Sequence, residues 1–189
     1  DNVRIYLGSG TNWLAPWTGD GVSGVYVWGA QLNVGPLQPY YPTTGSAYFG
    51  PRFTYDPVTH AALGLLIEEQ RTNLCTFSES LNSAGWTSTN QSVTLAAGTA
   101  PDGSSNANRI TAAVGAGGKQ TWNTVGSATT VTTNTVYAKA GTANWLALAF
   151  DTQGVTDGAF FNLSTGVIGT VTGGATATIT PVGNGWYRC

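Results

Sequence analysis

Short runs of alternating β-branched or aromatic residues, cut every few positions by glycine, asparagine or proline, leave this chain almost no room for a helix. Val3–Leu7, Gly24–Leu32, Ser92–Ala96, Asn108–Val114, Val131–Lys139, Trp145–Asp151, Ala159–Leu163, Ala175–Thr180 and Trp186–Cys189 all read as strands. Between them lie turn signals such as Gly19-Asp20-Gly21, Pro101-Asp102-Gly103, Gly115–Gly118, Gly173-Gly174 and Gly183-Asn184-Gly185, each offering a backbone position with positive φ. Many short strands at this spacing predict an all-β protein, an antiparallel jelly-roll β-sandwich.

The surface of such a sandwich has to be made without charge. Only 8% of the residues are Asp, Glu, Lys or Arg, against roughly 25% in ordinary soluble domains. Thr, Ser, Asn, Gln and Gly therefore cover it, a composition suited to a virion surface or an extracellular location. A net charge of −2 with no basic run excludes a phosphate-tracking nucleic-acid surface. No stretch approaches the ~20 apolar residues that a membrane-spanning helix needs.

Two cysteines, Cys75 and Cys189, stand far apart. They are two buried thiols, or they are bridged within the chain or between neighbours, which depends on a geometry the sequence does not give. His60 is the single histidine, and no CxxC or HExxH pattern occurs, which argues against zinc. No cofactor is expected. Asp102, Asn106 and Asn108, like Asp151 and Asp157, carry oxygens of the kind Ca²⁺ uses, but turn formation explains the same residues.

One stretch breaks the pattern. Pro36, Pro39, Pro42, Pro51 and Pro57 alternate with Tyr40, Tyr41, Tyr48, Phe49, Phe53 and Tyr55. Proline rules out a central strand and favours an extended path, along which aromatics bury against a neighbouring surface. Residues 33–73 read as an ordered connector packed on a sheet, in which Leu63–Arg71 fits one or two helical turns or, since Ile67–Arg71 lacks a cap, an extended path; little helix is expected.

Several segments carry a family resemblance. GVYVWGAQLNVGPLQPYYPTTG (Gly24–Gly45) resembles the closing strand and exit of a jelly-roll module of bacteriophage tail, spike and head-fibre proteins. RFTYDPVTHAALGLLIEEQRTNL (Arg52–Leu74) resembles the connector beside such modules. LCTFSESLNSAGW (Leu74–Trp86), APDGSSNANRIT (Ala100–Thr111), TVYAKAG (Thr135–Gly141), FNLSTGVIG (Phe161–Gly169) and GNGWYRC (Gly183–Cys189) resemble, in order, the front of one. The resemblance covers most of the chain and implies a concanavalin-like sandwich related to carbohydrate-binding modules. In the family, the strands resembling VRIYL and WGAQL follow GWYRC; here they precede the connector.

That permuted order divides the chain into residues 1–45 (closing strands), 46–73 (connector) and 74–189 (the front of a module). The front part then needs closing strands, from its own N-terminal segment or from a neighbouring copy. An unpaired sheet edge associates readily, and strand donation satisfies it. The expected function is a non-enzymatic structural subunit of a virion fibre or extracellular filament, assembled by strand complementation through Val3, Ile5, Leu7, Val25, Val27 and Trp28. Its partners would be copies of itself or adjacent modules of a longer chain.

The alternative is a glycan-binding adhesin module for a bacterial surface polysaccharide. Trp13 and Trp17, in the loop TNWLAPWTGD (Thr11–Asp20), would stack on a sugar ring while Asn12 and Asp20 supplied hydrogen bonds. Catalysis finds little support. Glu68 and Glu69 are adjacent, and on an extended strand they point to opposite faces, so they would not flank one glycosidic bond. Arg71 shares the face of Glu69, which suits a structural ion pair.

Overall fold

The computed structural model describes residues 2–8, 18–46, 52–55, 62–66, 72–115, 117–125, 131–152 and 155–189. They form an antiparallel β-sandwich without a helix. Numbered in chain order, the strands are β1 (Asn2–Gly8), β2 (Gly24–Val34), β3 (Arg52–Tyr55), β4 (Ala62–Leu66), β5 (Trp86–Thr89), β6 (Gln91–Gly98) and β7 (Ala107–Ala112). They continue with β8 (Lys119–Thr124), β9 (Thr132–Ala140), β10 (Trp145–Thr152), β11 (Val155–Asn162), β12 (Val167–Thr172), β13 (Thr180–Gly183) and β14 (Trp186–Arg188). One six-stranded sheet runs β12-β11-β10-β1-β8-β5 and the other β13-β14-β9-β2-β7-β6.

The core lies between these sheets because each strand alternates its side chains across the pleat. Ile5 and Leu7 from β1 bury against the same cluster as Val25, Val27, Ile110, Val136, Leu146, Leu148 and Phe161. The other faces are half-dry. On the outside of the second sheet, Trp28, Ala107 and Trp186 form a smaller cluster with Ala100, flanked by Tyr26, Tyr40 and Tyr137.

Strand β2 serves both clusters by means of a bulge. Val25 and Val27 face the main core, Trp28 faces out, and Ala30 and Leu32 face the core again. Simple alternation would put Ala30 on the side of Trp28. The register against β9 slips between Trp28 and Gln31, and Gly29 at that point has φ +61°. A bulge of this kind adds one residue and re-aims the side chains beyond it. A Cβ on Gly29 would also come within 3.0 Å of the Tyr40 ring and 3.1 Å of the Tyr137 ring.

The proline-rich stretch behaves in part as expected. Tyr40 packs on Trp28 with ring centroids 4.5 Å apart, so residues 35–44 form a strap over the outer cluster. Further on, the described part of the connector is extended but doubles back on itself. β3 and β4 pair with each other as a separate two-stranded sheet, with a register shift between Thr54 and Tyr55. The strand expected at Ala175–Thr180 is also absent. Residues 175–179 run between β12 in one sheet and β13 in the other, and Ala177 and Ile179 pack on the core from there.

Candidate functional site

The central places of both sheets are filled from the N-terminal segment. β1 lies between β8 and β10, with Ile5 opposite Thr121 on one side and Leu148 on the other. β2 lies between β7 and β9, with Val25 opposite Ile110 and Ala140. Among the described residues, β1 and β2 do not pair with each other; every strand partner of theirs comes from beyond residue 106. Of the expected assembly residues, Ile5, Leu7, Val25 and Val27 face the main core and Trp28 the outer cluster. Val3 is placed by its backbone, opposite Phe150 and Asn123, and its side chain lies outside what is described.

The joint between residues 1–45 and 73–189 is fixed by one residue that sequence reasoning passed over as the end of the connector. Asn73 is 2% exposed. Its Oδ1 accepts from the backbone N–H of Leu32 and of Cys75, each at 3.0 Å. Its Nδ2 donates to the carbonyls of Ala30 at 3.2 Å and Tyr41 at 2.9 Å. Around it the backbone is tied directly: Leu74 N–H to the Leu32 carbonyl, Ala30 N–H to the Ser78 carbonyl, and Phe77 N–H to the Thr44 carbonyl. Thr43 donates from its hydroxyl to the Cys75 carbonyl at 2.6 Å.

A second polar network sits beside this joint, built around Glu79. The Tyr40 hydroxyl donates to Glu79 Oε1 at 3.1 Å and Asn106 Nδ2 donates to Oε2 at 2.9 Å. Asn108, wholly buried, donates to the Glu79 main-chain carbonyl at 2.9 Å. Burial raises the Glu79 pKa and Asp102 nearby raises it further, against the lowering effect of the Tyr40 and Asn106 hydrogen bonds. Here the candidate Ca²⁺ residues fall into place. The Ser104 hydroxyl lies within hydrogen-bond reach of both Asp102 Oδ1 and Asn106 Oδ1, and Ser104 N–H also donates to Asp102. These oxygens hold a turn together. Asp157 lies on β11 in the other sheet, and the Asp151 side chain is outside what is described. No group of three His, Cys, Asp or Glu converges among the described residues.

The Glu79 shift has a sign that can be measured. A carboxyl whose pKa is higher in the folded state favours folding most when protonated, below its ordinary value near 4.5. That advantage disappears as pH rises through the folded-state pKa. Thermal unfolding of Glu79→Gln and the parent across this range is expected to show the parent losing ground to the variant as pH rises. A constant difference between the two would contradict the assignment.

For the glycan reading, Asn12, Trp13 and Trp17 lie outside the described residues. Asp20 is exposed and engaged in its own turn. It accepts from Val22 N–H, Ser23 N–H and the Ser23 hydroxyl, which together lower its pKa to about 2. Glu69, Arg71 and His60 also lie outside the described residues. Cys75 and Cys189 are free thiols, both buried, and burial pushes both pKa values up. Comparison with protein-family models, curated proteins and solved structures finds no match to this chain.

Proposed function

We propose that this chain is a non-enzymatic structural subunit of a multi-copy fibre or filament, of the kind found on phage virions, assembled by exchange of β1 and β2 between jelly-roll modules. The observation that carries this reading is the pairing pattern. The two strands of residues 1–45 pair only with strands of the part beyond the connector, so one segment completes both sheets of another. The ladder is indifferent to whether that segment belongs to the same chain. Within one chain the connector holds it at high effective concentration. Between chains the same bonds form head to tail, and a contact that does not close on itself propagates.

The free sheet edges favour this route over edge-to-edge stacking. β5, β6, β12 and β13 contain no charged residue, which leaves Val167, Val171 and Val182 exposed without the lysines that commonly guard an edge. Yet β6, β12 and β13 each meet their neighbour through a register shift, β13 carries Pro181, and β5 is four residues long. Bulges, proline and short length all hinder addition of another strand. Strand exchange uses the longer ladders of β1 and β2 instead, those of β1 running without a register shift and that of β2 with β9 carrying one bulge.

Light scattering with negative-stain electron microscopy, on material concentrated and then diluted, tests the proposal. Fixed oligomers or filaments with an axial repeat of one sandwich are expected. Monomers at every concentration would overturn it.

A glycan-binding role is the second reading, favoured by a chain in which only 8% of the residues are charged, which suits a neutral polysaccharide. Calorimetric titration with host surface glycans should then give heat that Trp13→Ala and Trp17→Ala abolish.

A further inference from the structure

Strands of both sheets border an open space beside the crossover from β12 to β13. A cavity of about 430 Å³ opens there, within the ~300–1,000 Å³ range of small-molecule sites. Leu148 and Phe150 of β10 and Ala159 and Phe161 of β11 form one wall, and the first residues of β9 form the opposite one. The third wall is the 174–178 crossover, the stretch that the sequence pattern marked as a strand. Exposed Leu37, Val131, Thr176 and Thr178 are also among the lining residues, so the cavity reaches solvent.

Two features define what it would accept. None of its lining side chains is charged, so an ion entering would lose water without a side-chain counter-charge. One of them nevertheless holds a buried polar atom without a partner, Asn134 Nδ2. Asn134 stands opposite Leu32 in the β2–β9 register, two residues before Val136, so alternation puts it on the core-facing side with both. A buried donor left unpaired costs about 1–3 kcal/mol. Nearly all such groups in folded proteins have a partner. Thr133 differs, since its hydroxyl already donates to the Gly35 carbonyl at 2.7 Å.

We propose that this cavity binds a small neutral molecule with an apolar body and one hydrogen-bond acceptor, the acceptor meeting Asn134 Nδ2 and the body lying against Leu148, Phe150 and Phe161. The proposal does not rest on exchange of β1 and β2 between copies, since the walls are the same whichever chain supplies those strands.

N,N-dimethylhexanamide is a suitable probe: it is neutral, accepts through its carbonyl and has no donor. Titrated into the ¹⁵N-labelled full chain, it should shift the Asn134 side-chain amide and the Phe150, Ala159 and Phe161 backbone signals saturably. Hexanoate, which carries a charge, and glucose, which lacks the apolar body, should not. Asn134→Leu should stay folded with an unchanged or higher Tm, because it removes an unpartnered donor, and should weaken the probe roughly tenfold. Absence of a saturable shift in the parent would overturn the proposal. So would equal binding of hexanoate or glucose at these residues, or unchanged affinity in Asn134→Leu.

Discussion

Asn73→Leu is expected to lower unfolding free energy by about 3–5 kcal/mol, the largest effect of any single polar substitution proposed for this chain. The size reflects the work of the side chain. Its one amide group serves four backbone groups, on Ala30, Leu32, Tyr41 and Cys75, at distances of 2.9 to 3.2 Å. Leucine keeps the branched shape and the number of heavy atoms but is bulkier, and the backbone groups lose their partner where water cannot replace it. Each stranded group costs roughly 1–3 kcal/mol, and relaxation keeps the total below the simple sum. Asn73→Asp separates the two halves of the role. It keeps an acceptor for Leu32 and Cys75 and turns a carboxylate oxygen toward the Ala30 and Tyr41 carbonyls, so it should be as damaging at neutral pH and recover in acid. Urea unfolding followed by Trp fluorescence would measure both. A loss under 1 kcal/mol for Asn73→Leu, itself a typical value for a single hydrogen bond, would mean that the joint is held elsewhere.

The second large effect is expected at the centre of the first sheet. Ile5 is 1% exposed and packs in the main core from the strand that links β8 to β10. Ile5→Ala should cost about 2–5 kcal/mol, since it removes buried methyl groups and leaves a cavity that flanking strands fill only partly. The midpoint in urea should fall while the slope stays the same, because the surface exposed on unfolding is unchanged. The same variant bears on assembly. If β1 is exchanged between copies, a weaker β1 lowers the stability of the oligomer, and dissociation should begin at a higher protein concentration than in the parent. A stability loss with no change in association would place β1 inside its own chain.

Most strands were legible in the sequence because a strand with one buried face writes its burial as an alternation. β1 shows it plainly, residues 4–7 alternating between half-buried and buried; β2 and β10 are buried on both faces, and the bounds of β1, β2, β9 and β10 lie within a few residues of the runs read from the sequence. Where both faces carry polar groups the signal fails. β8 (KQTWNT) buries Lys119, Thr121 and Asn123, all polar, so no apolar period marks it. Lys119 is held there by the carbonyls of Gly115 and Gly117, partners contributed by a turn rather than by any run of residue types. β12 (VIGTVT) is an edge strand whose valines are exposed, the reverse of the usual pattern. Residues 175–179 erred in the other direction: ATATI alternates, but the chain uses it to cross between sheets.

The functional residues divide the same way. That residues 1–45 supply closing strands was what the resemblance to jelly-roll modules implied, and β1 and β2 do pair with strands beyond residue 106. The role of Asn73, the convergence of Glu79 with Tyr40 and Asn106, and the cavity beside Asn134 were not legible in the sequence. Each depends on groups distant in sequence coming within hydrogen-bond range or, in the last case, failing to. The sequence by itself determined an all-β chain with a nearly uncharged surface, because turn chemistry and strand alternation are local properties of residues. Only the tertiary structure decided which strands are neighbours and which polar groups find partners, because ladder register and burial are set by the packing of the whole sandwich.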